Sequence, residues 1–189
     1  MTLSYWEQQH WFTNVDFTIV GSGIVGLQTA LHLREQYPDA RILVLERSPI
    51  PEGASTKNAG FACFGSVTEL LSDLQTHSEH EVVELVQKRW EGLQVLKSTV
   101  GSEAIQFEPL GGYEFFLEEE HEIYQTALSK LEYLNELLYP LFRQNVFSIV
   151  ENQFGFQRVQ NRLLFNALEG QIDPGLMMQA LLRKAHQKG

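Results

Sequence analysis

Three glycines set between a strand-like run and a helical pattern, in DFTIVGSGIVGLQTA at residues 16–30, restrict this chain more than any other feature. Phe17, Ile19 and Val20 make a short apolar run that stops at Gly21. Gly23 and Gly26 follow, and helical spacing begins at once. In such a βα turn the first glycine permits the tight exit from the strand. The second lets a pyrophosphate approach the backbone, and the third lets the helix pack close to the strand. The free amides at the start of that helix and its positive end then face phosphate. Ala30, one turn beyond Gly26, keeps the same packed face small.

The surroundings sharpen the pattern. Pro38, Asp39 and Ala40 break the helix, and residues 41–45 read as a second strand ending on Glu46. An acid about 20 residues past the last glycine suits the two hydroxyls of an adenosine ribose and disfavours a 2′-phosphate, which argues against NADP. The plainer alternative is a βαβ start with ordinary turn glycines and a surface glutamate.

The apolar share of 43% and 12 phenylalanines in 189 residues suffice for a sizeable core. A net charge of −10 argues against a nucleic-acid surface, which needs clustered Lys and Arg. The single cysteine, Cys63, excludes an intrachain disulfide and suits a reducing compartment. No signal-peptide pattern and no 18-residue apolar segment is visible, so the expected location is cytoplasmic with no membrane span.

Residues 1–15 read as an N-terminal arm that packs Trp6, Trp11 and Phe12 on the body. From Arg47 to Gly65 the chain is punctuated by Pro49, Pro51, Gly53, Gly60 and Gly65, the mark of a long loop. Ser66 with Glu69 predicts a capping box and a helix over 67–75. A second helix over 79–100 carries Val82, Val86, Trp90, Leu93, Leu96 and Val100 as a core-facing stripe. Strands are predicted over 104–107, 113–117, 146–150 and 163–167. A helix over 119–139 presents Tyr124, Ala127, Leu131, Leu134 and Leu138, and Pro140 ends or kinks it. Asp173 caps a last helix with Pro174 at its first position.

One βαβ start followed by elements that do not continue the alternation implies a Rossmann-like α/β unit with an inserted α+β region. A complete doubly wound sheet needs more parallel strands. The expectation is therefore a truncated fold, the N-terminal part of a longer protein, with the completing half beyond Gly189. The expected division is 1–15 (arm), 16–66 (nucleotide-binding βαβ and loop), 67–168 (insertion) and 169–189 (return helix).

Taken together, GSGIVGLQTA at 21–30, RILVLER at 41–47 and GASTKNAG at 53–60 resemble the FAD-dependent oxidoreductases of the D-amino-acid oxidase type, with GQIDPGLMMQALLRKA at 170–185 a looser echo. This group includes glycine oxidases, sarcosine oxidases and D-amino-acid dehydrogenases. The resemblance implies FAD as cofactor, with Gly21, Ser22, Gly23, Ile24, Val25 and Gly26 at its pyrophosphate, Glu46 at the adenosine ribose and Arg47 beside the adenine. It further implies that Ala54, Ser55, Thr56, Asn58, Ala59 and Gly60 wrap the pyrophosphate and reach the flavin. The bland alternative for Ser55, Thr56 and Asn58 is turn formation.

The implied reaction is oxidation of a small amine or amino acid by hydride transfer to flavin. No catalytic residue is singled out. Arg143, Arg158 and Arg162 are available for a substrate carboxylate, but nothing singles one out and each reads as a surface residue. Cys63, between Phe61, Ala62 and Phe64, reads as a buried thiol rather than a flavin attachment point. The six histidines complete no metal site, and no P-loop or nucleophile elbow is present. Competing readings are an NAD-dependent dehydrogenase, for which the 53–60 loop has no obvious use, and a non-catalytic or incomplete dinucleotide-binding fragment. A tRNA-modifying flavoprotein is opposed by the acidic balance.

Overall fold

The computed structural model describes residues 2–189. In chain order the elements are α1 (Tyr5–Trp11), β1 (Phe17–Val20), α2 (Ile24–Gln36), β2 (Ile42–Leu45), β3 (Phe61–Ala62), α3 (Val67–Asp73) and α4 (Glu79–Val100). There follow β4 (Gly112–Glu114), α5 (His121–Phe142), β5 (Phe147–Glu151), β6 (Arg162–Asn166), β7 (Gly170–Gln171) and α6 (Pro174–Lys188). They form two compact units. The first takes the chain up to residue 60 with 100–106 and 173–189, and the second takes 61–99 and 107–172.

In the first unit β1 and β2 pair in parallel, from Phe17 opposite Ile42 to Val20 opposite Leu45, with α2 connecting them. This is the βαβ unit read from the glycines. Leu27, Ala30 and Leu31 of α2 are buried, as are Met177, Met178, Ala180 and Leu181 of α6, which packs on α2. Asp173 caps α6 by accepting from the Leu176 N–H at 2.9 Å, with Pro174 opening the helix.

Several expectations are corrected. The N-terminal segment is a helix, because Ser4 and Glu7 form a capping box. Trp6 and Trp11 do not pack on the body; they are 68% and 66% exposed. Five residues apart, they lie about 140° apart around a helix, so no single apolar stripe exists to dock. The strand expected over 104–107 is instead a 3-10 turn, Glu103–Ile105, that buries Ile105 and ends on Gln106 at φ 48.

In the second unit α3 starts on the Ser66–Glu69 capping box, and β4, β6 and β5 form an antiparallel sheet in that spatial order. Phe64, Val67, Leu70, Val82, Val86, Phe116, Tyr124, Ala127, Leu134, Leu138 and Leu164 share one core. Phe64, Trp90 and Phe142 stack and edge against one another with ring centroids 5.2–6.1 Å apart. The α5 helix runs past Pro140 to Phe142 and ends on Arg143 at φ 57. Proline falls in the last turn, where its missing N–H forfeits only one helical bond. The strand expected over 113–117 is shorter than read, Gly112–Glu114. Cys63 is exposed, not buried: burial alternates here, so Ala62 and Phe64 turn inward and Cys63 outward.

Candidate functional site

The site is built at the carboxyl ends of β1 and β2, where Gly21 leaves the strand at φ +96 and Gly23 is the N-cap of α2. The Gly21 N–H still belongs to the sheet, donating to the Leu45 carbonyl at 2.7 Å. A Cβ on Gly26 would collide with the carbonyl oxygen of Gly21 and press on Ile19, so the turn closes only around a glycine. Gly23 offers no side-chain cap to α2. Ser55, on the loop after β2, supplies it: its Oγ accepts from the Ile24 N–H at 3.0 Å. The next two amides, of Val25 and Gly26, are the remaining orphan donors of the first turn, because the intrahelical ladder starts with Leu27 donating to the Gly23 carbonyl.

Glu46 closes the other side. One carboxylate oxygen accepts from the Ser22 N–H and from Ser22 Oγ, both at 2.9 Å. The other accepts from the N–H groups of Arg47 and Ser48 at 3.0 and 3.2 Å. These bonds, the Ser22 N–H first, then the Ser22 hydroxyl, hold the Glu46 carboxyl down at about 2. Glu46 is therefore an anion across the physiological range, turned toward the glycine turn and suited to accept hydroxyl hydrogens.

Gly21, Gly23, Glu46 and Arg47 line one cavity of about 270 Å³ together with Val20, Leu45, Pro51, Glu52 and Gly53. Ser22 and Glu46 also border a larger cavity of about 470 Å³ whose apolar walls include Leu27, Leu31, Val44 and Leu182. Val20 and Val25, at the rim of the turn, are 86% and 77% exposed.

The remaining sequence-predicted residues are placed less directly. Thr56 Oγ1 donates to the Pro51 and Gly53 carbonyls at 3.1 Å, and Asn58 Nδ2 donates to the Ala54 and Ser55 carbonyls while its Oδ1 accepts from Gly60 N–H. Both side chains thus fix the shape of the loop. Ala54 and Ala59 are exposed, and Gly60 is buried at φ +77. Arg143, Arg158 and Arg162 are exposed on the second unit, with Arg158 3.7 Å from the Glu119 carboxylate. Sequence reasoning missed the Ser22–Glu46 contact and the lining by Pro51 and Glu52. The spacing of Ser22 and Glu46 across the βαβ unit carries the only signal for the first.

A profile of the family described as FAD dependent oxidoreductase (DAO) matches residues 16–189. Among solved structures, L-amino acid deaminase from Proteus myxofaciens superposes with a TM-score of 0.62 at 20% identity, covering 94% of this chain and 37% of that one. Iminodiacetate oxidase from Chelativorans sp. BNC1 gives 0.64 at 15% identity, over 92% and 45% of the two chains. Glycine oxidase from Bacillus cereus gives 0.60 at 16%, over 93% and 44%. At these identities the likeness is one of fold. L-2-hydroxyglutarate dehydrogenase of Escherichia coli K12 is 53% identical over 36 residues, 19% of this chain and 8% of that protein. The chain thus spans less than half the length of these proteins.

The residues present fit a dinucleotide such as FAD. The Gly26 position admits no side chain, two first-turn amides of α2 are open to an anion, and an ionised carboxylate stands at the end of β2.

Proposed function

The chain belongs to the FAD dependent oxidoreductase family, and from that premise we propose that its protein oxidises a small amine or amino acid, with FAD held by the first unit. The observation that carries the cofactor assignment is the pairing of the Gly21–Gly23–Gly26 turn with the ionised Glu46 at one cavity. FAD, when bound, supplies the electron sink for hydride removal from a carbon bearing nitrogen.

The chain's own residues do the rest of the work assigned here. The amides of Val25 and Gly26, at the positive end of α2, take the charge of the pyrophosphate. Gly21 and Gly23 let that group reach the backbone, and Ser22 stands between them with its hydroxyl already on Glu46. Glu46 accepts from the ribose hydroxyls, exchanging part of its present set of donors, and repels a 2′-phosphate. Arg47 lies beside the adenine. Ser55 draws the loop over the start of α2, while Thr56 and Asn58 keep that loop in one shape so that Ala54, Ala59 and Gly60 can approach the cofactor closely. In this reading the first unit is the cofactor-binding part and the second the substrate-side part.

The substrate class rests on the names of the fold relatives, an amino acid deaminase, a glycine oxidase and an iminodiacetate oxidase. A second reading, a 2-hydroxy acid as electron donor, is favoured by the stretch shared with L-2-hydroxyglutarate dehydrogenase. Anaerobic addition of glycine, other amino acids, sarcosine or 2-hydroxy acids to the FAD-loaded protein separates the two. Bleaching of the visible flavin band by an amine supports the first reading. Bleaching by hydroxy acids alone transfers the assignment to the second, and a protein that takes up no FAD refutes both.

A further inference from the structure

The Glu46 carboxylate has no acceptor site to spare. An ionised carboxylate offers roughly four such sites, shared between its two oxygens. Ser22 fills one oxygen, through its N–H and its Oγ, both at 2.9 Å. The N–H groups of Arg47 and Ser48 fill the other at 3.0 and 3.2 Å. A ribose hydroxyl therefore reaches Glu46 only where one of these donors leaves.

Three of the four donors are backbone amides, and each is held. The Ser22 N–H lies in the glycine turn, where Gly21 donates to the Leu45 carbonyl at 2.7 Å and Gly26 closes on the Gly21 carbonyl. Arg47 and Ser48 follow Glu46 directly, and Ser48 Oγ donates to Glu52 at 3.3 Å, so releasing their amides reshapes the chain leaving β2. The Ser22 hydroxyl differs. It moves between staggered positions by turning about one Cα–Cβ bond, with the backbone unmoved. Among the described residues it bonds only Glu46, so its departure breaks one bond. Ser22 is 5% exposed, yet it borders, with Glu46 and Ser48, the cavity of about 470 Å³, which gives that rotation room.

We propose that the Ser22 hydroxyl is a placeholder for the ribose: in the free protein it fills one acceptor site of Glu46, and it swings into the neighbouring cavity when a single ribose O–H takes that site. The inference rests on the ribose contact proposed for Glu46 and narrows that contact to one hydroxyl. The exchange trades one O–H donor for another and leaves the three amides in place. A 2′-phosphate brings charge and acceptor oxygens instead of a donor and cannot make the same exchange. Ser22 thereby acts on nucleotide choice through Glu46, as a positioning residue.

Calorimetric titration of the FAD-free wild type and of Ser22→Ala with ADP, 2′-deoxy-ADP, 3′-deoxy-ADP and 2′,3′-dideoxy-ADP tests this. A serine that stayed on Glu46 to orient it would make Ser22→Ala bind ADP more weakly. A placeholder gives the opposite sign. Its removal should tighten ADP about three- to tenfold, the equivalent of one net hydrogen bond, and leave dideoxy-ADP unchanged. In wild type, one of the two singly deoxygenated nucleotides should bind like ADP and the other like dideoxy-ADP. That series decides alone if Ser22→Ala fails to fold. ADP weakened or unchanged in Ser22→Ala, dideoxy-ADP tightened equally, or both or neither of the singly deoxygenated nucleotides losing affinity overturns the proposal while leaving the cofactor reading in place. Wild type that binds no ADP removes the ribose contact itself and the proposal with it.

Discussion

Gly26 sits one turn from the strand end with its hydrogen pointing at the Gly21 carbonyl, and a methyl group there has nowhere to go but into backbone. Gly26→Ala should destabilise the first unit by ~1–3 kcal/mol, the usual range for overpacking, and lower FAD uptake with it. Thermal melting with and without FAD checks both; a variant with wild-type melting and uptake would remove the close-packing role. Glu46 makes a different prediction. Its carboxyl is depressed in the folded state by the Ser22 and Ser48 donors, so its stabilising contribution is present above the ordinary carboxylate range and is lost as pH falls from about 4.5 toward 2. Glu46→Gln should flatten that part of the acid melting profile. If the variant and the wild type lose stability in parallel over this window, the bonds to Ser22 and Ser48 are not holding charge.

Among the elements, the joint between α5 and β5 rests on one buried polar side chain. Asn135 Nδ2 donates to the Phe147 carbonyl at 2.8 Å, and its Oδ1 accepts from the Val146 and Phe147 amides at 2.9 and 2.8 Å. Replacement by leucine strands two buried amides and a carbonyl, so Asn135→Leu should cost about 2–4 kcal/mol by denaturant unfolding. A loss under about 0.5 kcal/mol would show that water takes over these bonds. Asn135 also shows why some of this fold could not be read in advance. Periodicity places Leu134 and Leu138 inside, but an asparagine between them reads as surface until its three partners, 11 and 12 residues away, are known. The β1–α2–β2 unit, α4 and the caps at Ser66 and Asp173 were legible because their signals are local: glycine spacing, helical stripes and i to i+3 boxes. The cap of α2 was not, since Gly23 passes that duty to Ser55, 31 residues from Ile24. The two-residue β3–β7 ladder and the 3-10 turn at Glu103–Ile105 are too short for any period to register.

For the whole molecule, the family match runs across residues 16–189, and the chain of the unit that carries the glycine turn is interrupted by a second unit with its own core. Among the described residues no helix is long and apolar enough to cross a membrane. The central claim is that the adenosine and pyrophosphate of FAD lie on the Gly21–Gly26 turn with the ribose at Glu46. Equilibrium titration of the protein with FAD, by flavin fluorescence quenching, with ADP and NADP as competitors, tests it most directly. The expected result is FAD binding displaced by ADP far better than by NADP, and weakened roughly tenfold or more by Glu46→Arg, the loss of a charge-assisted bond. FAD affinity unchanged in Glu46→Arg, or NADP competing as well as ADP, would contradict it.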